Sequence, residues 1–260
     1  MKGEGRALTL HIDNRAISLA VYEGRRALAF TDMGTDPRMT ADQYAACIRQ
    51  LLELRRADTD PLEGAVISSV VPPLTPVLQR AVAQLTSGPV RLVGPGVKTG
   101  LDIRLDRAAA VGTDFICCCV AALDEFAPPL VVVSLEGAVT FAAVDQSGAL
   151  VGRSILPGVE DSLHALRQSA AQLPEVSFDP GARLLGKSTA EGMRSGILYG
   201  TACTLEGMCR RYREALGGRA VVVATGSLAE PLAALCAEPM QLRPRLLHDG
   251  LCLLYHKNMG

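Results

Sequence analysis

The sequence predicts an α/β protein made of two similar lobes around a central cleft, each lobe a mixed sheet with flanking helices. Strand and helix patterns alternate along the chain, and the alternation starts twice with a strand, a turn and a second strand, near residue 8 and near residue 130. The length of 260 residues, 48% of them hydrophobic, suits one large domain or two lobes that share a cleft. The doubled pattern favours two lobes, at residues 1–112 and 113–260.

The first lobe is predicted to begin with a hairpin whose two strands are separated by the polar turn Asp13-Asn14-Arg15. Thr40 is a candidate N-cap because Gln43 follows three residues later, and apolar spacing extends that helix to about Arg56. A second helix is predicted at 74–85, after Pro72-Pro73 ends a buried strand. The predicted strands are 8–12, 17–22, 26–31, 65–71 and 89–93.

The second lobe is predicted to repeat this organisation after a glycine-rich loop. A long apolar helix is expected at 108–126, followed by a hairpin of β-branched strands and a third strand that ends before Pro157-Gly158. The predicted strands are 130–134, 139–144, 149–155 and 220–224. The remaining predicted helices are 161–173, 188–216, 228–237 and 247–254.

Composition disfavours several classes of partner. The net charge is −1 with acids and bases evenly mixed, tryptophan is absent and aromatics make up 4%, so neither nucleic acid nor a membrane is predicted as a partner. The eight cysteines form no Cys-x-x-Cys pair, which indicates free thiols in a reducing compartment. The polar start of the chain and the lack of an apolar run of ~18 residues predict a cytoplasmic protein.

The segment 94–115 carries the strongest functional signal. Glycines at 94, 96 and 100, with Pro95, cannot continue a helix or a central strand, so this backbone must form a shaped loop. Asp114 follows behind a tight Gly112-Thr113 step, so a small-molecule clamp and a carboxylate could face each other. From these residues alone, a simple turn followed by an acidic residue at a helix start remains an equal alternative.

The loop Gly94-Pro95-Gly96-Val97-Lys98-Thr99-Gly100 and the box Val111-Gly112-Thr113-Asp114 resemble the substrate loop and the Gly-Ala-Asp-Arg box of type III pantothenate kinases. Other segments match the family in the same order: 40–44, 67–76, 186–189, 195–200 and 224–226. The resemblance spans about Leu8 to Tyr255. It implies two actin-like (ribonuclease H-like) lobes of the acetate and sugar kinase/actin superfamily. The implied reaction transfers phosphate from ATP to pantothenate, the entry step to coenzyme A, with Mg²⁺ and a monovalent cation (K⁺ or NH₄⁺).

The same resemblance implies roles for individual residues. Asp114 would be the general base that takes the proton from the pantothenate hydroxyl. Thr189 would reach the substrate pocket of a neighbouring subunit, which implies a dimer, although alone it is typical of a helix cap. The remaining implied substrate-binding residues are Gly94, Gly96, Lys98, Thr99 and Gly100. The implied nucleotide-binding residues are Asp13, Asn14, Thr140, Thr225 and Gly226.

No metal site is predicted from the histidines. His11, Asp13 and His248 lack ligand spacing, and such histidines are more often structural.

The first phosphate-binding turn departs from the family pattern Asp-x-Gly-Asn-Thr. An ungapped alignment places His11 on the acidic position, Asp13 on the glycine, Asn14 on the asparagine and Arg15 on the threonine. A two-residue deletion would instead keep Asp13 as the acid and preserve side-chain parity along the hairpin. Either alignment removes the glycine that lets backbone N–H groups approach phosphate.

The second phosphate-binding turn departs from Asp-Phe-Gly-Thr-Ala-Thr-Thr. Ser134 stands on the aspartate and Glu136 on the glycine. Two unit charges ~4 Å apart cost at most about 4 kcal/mol near a protein surface, so Glu136 would weaken ATP binding strongly. Phe115 replaces the arginine of the Gly-Ala-Asp-Arg box, and Ser227 replaces the glycine that follows Gly226 near the expected adenosine pocket.

These departures predict a family member with weak or absent ATP binding and little or no kinase activity alone. It would act as a pseudokinase or as a partner subunit of an intact type III pantothenate kinase, in a homodimer or heterodimer. The alternative is an active pantothenate kinase that uses Asp114 as base and altered phosphate loops.

Overall fold

The computed structural model describes residues 5–57, 61–107, 111–170 and 172–258, which form two compact units. Unit 1 comprises Met1–Gly100, Arg107–Ala121 and Leu246–Gly260, and unit 2 comprises Leu101–Asp106 and Ala122–Arg245. This grouping differs from the single division predicted after residue 112, because the chain crosses between the units more than once. The cleft expected between the two units stays a prediction.

Unit 1 is built on a five-stranded mixed sheet in the order β3-β2-β1-β4-β5. Strands β1, β2 and β3 are antiparallel neighbours, whereas β4 pairs parallel to β1 and β5 parallel to β4. The strands are β1 Arg6–Ile12, β2 Ala16–Glu23, β3 Arg26–Gly34, β4 Leu62–Ser69 and β5 Val90–Leu92. The helices are α1 Ala41–Leu54, α2 Thr75–Ala83, α3 Thr113–Glu125 and α7 Leu246–Asn258, of which residues 122–125 of α3 are grouped with unit 2.

Side chains alternate across this sheet because successive residues of a strand point to opposite faces. On β1, Leu8, Leu10 and Ile12 join the core formed with α1 and α2. Ala7 faces the other way and packs with residues of α3 and α7. The sheet of unit 1 is therefore covered on both faces, and Thr9 and His11 lie on the α3 and α7 side.

Helix α1 begins at the cap that its sequence predicts. The Thr40 side chain accepts a hydrogen bond from the Gln43 N–H (3.3 Å), and the Gln43 side-chain oxygen accepts one from the Thr40 N–H (2.8 Å). This reciprocal pair satisfies two N–H groups that the first turn cannot bond internally. The predicted capping pair is confirmed.

Helix α7 lies in unit 1, although the predicted lobe boundary had assigned it to the second lobe. Asp249 accepts a hydrogen bond from the Tyr22 hydroxyl at 2.7 Å, and Leu251 and Leu254 are buried against the sheet. A methyl group added at Gly250 would overlap the backbone of Cys117, so only glycine permits this approach of α7 to α3.

Unit 2 is built on a six-stranded mixed sheet in the order β11-β10-β7-β8-β9-β6. The meander β7-β8-β9 is antiparallel, and β10 pairs parallel to β7. The strands are β6 Asp102–Ile103, β7 Leu130–Leu135, β8 Val139–Val144, β9 Ala149–Leu156, β10 Val221–Thr225 and β11 Gln241–Leu242. The helices are α4 Val159–Ser169, α5 Thr189–Ala215 and α6 Ala229–Ala233.

Several predicted boundaries shift in the structure. Helix α3 begins at Thr113, and residues 108–110 of the predicted helix lie outside the described residues. Helix α4 ends at Ser169 rather than at residue 173, and α6 is shorter than the predicted helix at 228–237. Strands β6 and β11 were not predicted because two residues are too few to show a periodic pattern.

Two further properties concern membranes and thiols. Within the described part of the chain, none of the helices combines the length and hydropathy that crossing a bilayer requires. All eight cysteines fall within that part and are free thiols, and most of them are buried.

Candidate functional site

Asp114 is the second residue of α3 in unit 1, and one of its carboxylate oxygens is left without a donor. Oδ1 is buried, and no hydrogen-bond donor reaches it among the described residues. A methyl group added at Gly112 would overlap this oxygen, so glycine there makes room for the carboxylate. A buried acceptor without a partner is costly unless a ligand or a water satisfies it. Asp114 Oδ1 is therefore an acceptor that is open to a ligand or a water.

A chain of polar contacts joins the end of β1 to the start of α3. A hydrogen bond of 3.1 Å joins His11 Nδ1 to Ser68 Oγ, and one of 2.7 Å joins Ser68 Oγ to Thr113 Oγ1. Loss of hydration around the half-buried imidazole lowers the pKa of His11, while the charges of Asp114 and Asp13 act in the opposite direction. His11 is therefore a neutral imidazole near Asp114.

His248 is a second, fully satisfied histidine in unit 1. Its Nδ1 is hydrogen-bonded to Thr9 Oγ1 at 2.7 Å and its Nε2 to Ser18 Oγ at 2.9 Å. Burial, with a smaller contribution from His11, lowers the pKa of His248 to about 3. Both ring nitrogens hold strands to α7, so this histidine has a structural role.

The glycine-rich loop is tied to the end of α7. Gly96 and Gly100 have φ values of 92° and 76°, a conformation that favours glycine. The Lys98 N–H donates to the Asn258 side-chain oxygen (2.9 Å), and the Asn258 amide donates back to the Lys98 carbonyl (3.1 Å). Lys257 Nζ donates to the Thr99 carbonyl at 3.1 Å. These contacts fix the backbone of the loop, of which Gly94 is the first residue, and leave the Lys98 side chain exposed.

The first hairpin turn closes without glycine. Ile12 pairs with Ile17, and the Asp13 N–H donates to the Ala16 carbonyl at 3.0 Å, which leaves Asn14 and Arg15 at the tip. The Thr35 hydroxyl donates to the Asp13 carbonyl at 2.7 Å. The turn thus uses an ordinary tight geometry, and its Asp13 carboxyl lies near enough to His11 to affect the histidine pKa.

The second hairpin turn, residues 136–138 in unit 2, is shaped by close backbone contacts. Ser134 pairs with Thr140 on one side and with Thr225 on the other, so these three residues form a row across β8, β7 and β10. Gly226 has a φ of 103°, and a methyl group added there would lie 2.5 Å from the Leu135 carbonyl oxygen. The structure therefore brings together three of the predicted nucleotide-binding residues: Thr140, Thr225 and Gly226.

Glu136 makes the contact at this turn that the sequence did not predict. Its carboxylate accepts hydrogen bonds from the Ser227 backbone N–H (2.9 Å) and from the Ser227 hydroxyl (3.1 Å). In the sequence, Glu136 and Ser227 are two separate departures from the family pattern. In the structure, they are one interaction.

Thr189 is the first residue of α5 in unit 2, and its side chain is exposed. The N-cap of α5 is Ser188, whose side chain accepts a hydrogen bond from the Glu191 N–H at 3.2 Å. The capping role considered for Thr189 therefore belongs to its neighbour.

Comparison with known proteins identifies the family. A model of the family described as type III pantothenate kinase matches residues 7–211. Relatives carrying that description include one from Moorella thermoacetica, 35% identical over 251 residues that cover 96% of this chain and 99% of the relative. One from Myxococcus xanthus is 36% identical and covers 96% of this chain and 98% of the relative. The chain belongs to the type III pantothenate kinase family.

Solved structures confirm the predicted fold class for this pantothenate kinase homologue. A protein assigned to the Baf family of transcriptional activators from Campylobacter jejuni superposes with a TM-score of 0.61 at 15% identity, covering 96% of this chain and 98% of that one. A protein assigned as a 2-dehydro-3-deoxygalactonokinase from Sinorhizobium meliloti gives a TM-score of 0.59 at 12% identity, covering 97% of both chains. At such identities these likenesses show the fold alone, an actin-like arrangement of two mixed sheets with flanking helices.

The fit of the first turn to the magnesium site implied by the family pattern depends on which of the two alignments applies. The ungapped alignment puts His11 on the acidic position, and its Nδ1 is bonded to Ser68. Across the described ranges, no three His, Cys, Asp or Glu side chains converge as a metal site would require. In that alignment the carboxylate expected to hold Mg²⁺ is absent, whereas the alignment with a two-residue deletion keeps Asp13 as that carboxylate.

Proposed function

We propose that this chain is a type III pantothenate kinase homologue with little or no pantothenate kinase activity on its own. The observation that carries this proposal is the Glu136 carboxylate, which lies on the second phosphate-binding turn and is bonded to Ser227. The family pattern has glycine at the position of Glu136, which lets phosphate approach backbone N–H groups. A fixed carboxylate in that place opposes the negative charge of a triphosphate.

The first turn supports the same proposal. In the ungapped alignment, a neutral His11 replaces the family's acidic residue and does not supply the negative charge with which a carboxylate attracts Mg²⁺. Phosphoryl transfer depends on positioning and on neutralising charge, so loss of this carboxylate should slow transfer from ATP strongly. ATP, Mg²⁺ and K⁺ or NH₄⁺ are the cofactors expected of the family, and the changes at His11 and Glu136 argue for weak use of them here.

We propose that this chain still binds pantothenate. The backbone of the loop from Gly94 to Gly100 is fixed by Asn258 and Lys257. Within this loop, the exposed Lys98 side chain supplies a positive charge suited to a carboxylate. Asp114 presents a buried oxygen suited to accept a hydrogen bond from a substrate hydroxyl. The substrate side of the family site is thus better preserved than the phosphate side.

An active pantothenate kinase is the second candidate function. The orphan oxygen of Asp114 favours it, because a general base needs an acceptor that no protein donor already occupies. In that case Asp114 would accept the hydroxyl proton of pantothenate as the phosphoryl group is transferred.

The deciding experiment measures phosphoryl transfer from ATP to pantothenate by the purified chain with Mg²⁺ and K⁺ or NH₄⁺. We expect a rate at least about a hundredfold below that of an intact family member, as a charge conflict of ~3 kcal/mol implies. An Asp114→Asn variant is the control for contaminating kinases. Turnover close to that of an intact member, abolished in Asp114→Asn, would establish the active kinase instead.

The chain is further proposed to be cytoplasmic and to assemble as a homodimer or as a heterodimer with an intact type III pantothenate kinase. Thr189 lies close in the sequence to Leu184 and Leu185, whose side chains are 60% and 82% exposed. Exposed large apolar side chains of this kind support a contact surface for another subunit. Native mass spectrometry of the chain alone and mixed with an intact kinase tests this. Monomers in both samples would overturn the proposal.

A further inference from the structure

The contact between Glu136 and Ser227 joins two loops that are far apart in the sequence. The residues are separated by 91 positions, yet both oxygens of one carboxylate are used: one binds the Ser227 N–H and the other binds the Ser227 hydroxyl. Both side chains lie at the surface. A carboxylate held by two donors of one residue is a defined arrangement, and hydrogen bonds to an ionised acceptor are stronger than neutral ones.

The position of this contact is the end of the sheet where a ligand is expected. Strands β7 and β10 are parallel neighbours, and Glu136 and Ser227 each follow the carboxyl end of one of them. In α/β sheets, ligands bind beyond the carboxyl ends of parallel strands.

Glycines bring three loops together at this end. Gly226 is packed on the Leu135 backbone, and a methyl group added at Gly158 would overlap the Gly137 carbonyl. The backbone here thus forms a compact group of loops. Within it, the Ser227 N–H and hydroxyl both donate to an anionic group, the Glu136 carboxylate.

We propose that Glu136 is a built-in competitor for nucleotide phosphate, occupying donors of Ser227 that a phosphate group of ATP would otherwise take. This inference rests on the proposed function, because it assigns this loop group to the nucleotide. Carboxylate and phosphate oxygens are chemically alike as anionic acceptors, so the same N–H and hydroxyl serve either one. Occupation by Glu136 both uses the donors and adds a negative charge beside them.

Glu136 can be replaced by mutation, so the inference predicts that a variant without this carboxylate binds ATP more tightly. Glu136 is attached to a hairpin turn, so its substitution leaves β7, β8 and β10 paired. Replacing it with alanine removes the charge and frees the Ser227 donors. Replacing it with glutamine removes the charge but keeps an oxygen that can accept from Ser227. We therefore expect alanine to have the larger effect.

Calorimetric titration with ATP should compare the unaltered chain, Glu136→Ala, Glu136→Gln and a control, Glu214→Gln. Glu214 is an exposed residue near the end of α5, and its substitution makes the same change in net charge away from the turn. We expect Glu136→Ala to bind ATP about tenfold more tightly than the unaltered chain, since releasing a charge-assisted contact is worth about a factor of ten or more. Glu136→Gln should lie between, and Glu214→Gln should match the unaltered chain.

Adenosine provides the second arm of the titration because it lacks phosphate. Although Ser227 also lies near the expected adenosine pocket, adenosine affinity should change much less than ATP affinity when Glu136 is replaced. The inference is overturned if Glu136→Ala and Glu214→Gln bind ATP equally, if none of the proteins binds ATP, or if adenosine affinity rises as much as ATP affinity. If the proposed function is wrong, the phosphoryl-transfer assay shows high turnover by the unaltered chain. The titrations with ATP and adenosine test the competitor role of Glu136 separately, so the two failures are distinguishable.

Discussion

Gly112 controls the position of the Asp114 carboxylate, because any side chain at 112 would occupy the space of Oδ1. We expect Gly112→Ala to turn the carboxylate away and to weaken pantothenate binding about tenfold, the value of one hydrogen bond to a charged group. Isothermal titration with pantothenate measures this.

The matched control is Gly207→Ala in α5, where an added methyl group meets open space. That variant should keep its pantothenate affinity and gain roughly 0.5–1 kcal/mol of stability, as glycine is a poor residue inside a helix. Equal affinities of the two variants would show that Asp114 does not contact pantothenate.

His248 makes the stability of unit 1 depend on pH. Its pKa is lowered from 6.5 to about 3 in the folded protein. Below pH 6.5 the unfolded chain therefore binds a proton that the folded chain excludes, so the free energy of unfolding falls as the pH falls. The loss approaches about 1.4 kcal/mol per pH unit for each such histidine. His11, whose pKa is also lowered, acts in the same direction.

Urea unfolding at several pH values from about 4 to 7 tests this linkage. A His248→Gln variant should be less stable at neutral pH and should lose less stability on acidification. His164→Gln, altered at an exposed position on α4, should keep the slope of the unaltered protein. A slope unchanged by His248→Gln would mean that other groups cause the acid sensitivity.

At the scale of elements, α7 links the glycine-rich loop to the sheet of unit 1. Asn258 both accepts from and donates to the backbone of Lys98. We expect Asn258→Ala to cost only about 1 kcal/mol of stability, because the contact is exposed, but to weaken pantothenate binding roughly fivefold by loosening the loop. Denaturation and titration give the two values.

Asn258→Asp is the intermediate variant for testing the two hydrogen bonds between the residue 258 side chain and the Lys98 backbone. It keeps an acceptor for the Lys98 N–H and loses the donor to the Lys98 carbonyl, so its pantothenate affinity should fall between those of the other two proteins. An alanine variant that binds pantothenate as tightly as the unaltered chain would show that the loop needs no support from α7.

The elements were predictable where the signal is local. The capping pair of Thr40 and Gln43 lies within four residues, and it formed as predicted. The structure groups α7 with unit 1, which differs from the predicted lobe boundary for a physical reason. Apolar spacing shows that a helix has a buried face, but the surface it covers depends on contacts such as that of Gly250 with Cys117, which are distant in sequence.

At the scale of the whole molecule, the family and the fold class were predictable because motifs match along nearly the whole chain. The geometry of the candidate site was only partly predictable. The sequence around Asp114 was enough to propose a role for it, whereas the contact of Glu136 with Ser227 depends on how β7 pairs with β10. The bonds from His11 through Ser68 to Thr113 likewise join three separate elements.

The return of α7 to unit 1 has a consequence for synthesis on the ribosome. All of unit 2 is translated before Leu246, so its sheet can form while the chain is still growing. The sheet of unit 1 is translated before most of unit 2, yet the side of this sheet that carries Thr9 and His11 lacks α7 until residues 246–258 are made. The sheet of unit 1 is therefore made early but completed late. Its apolar face on the α7 side stays partly exposed until α7 is translated and packs on it.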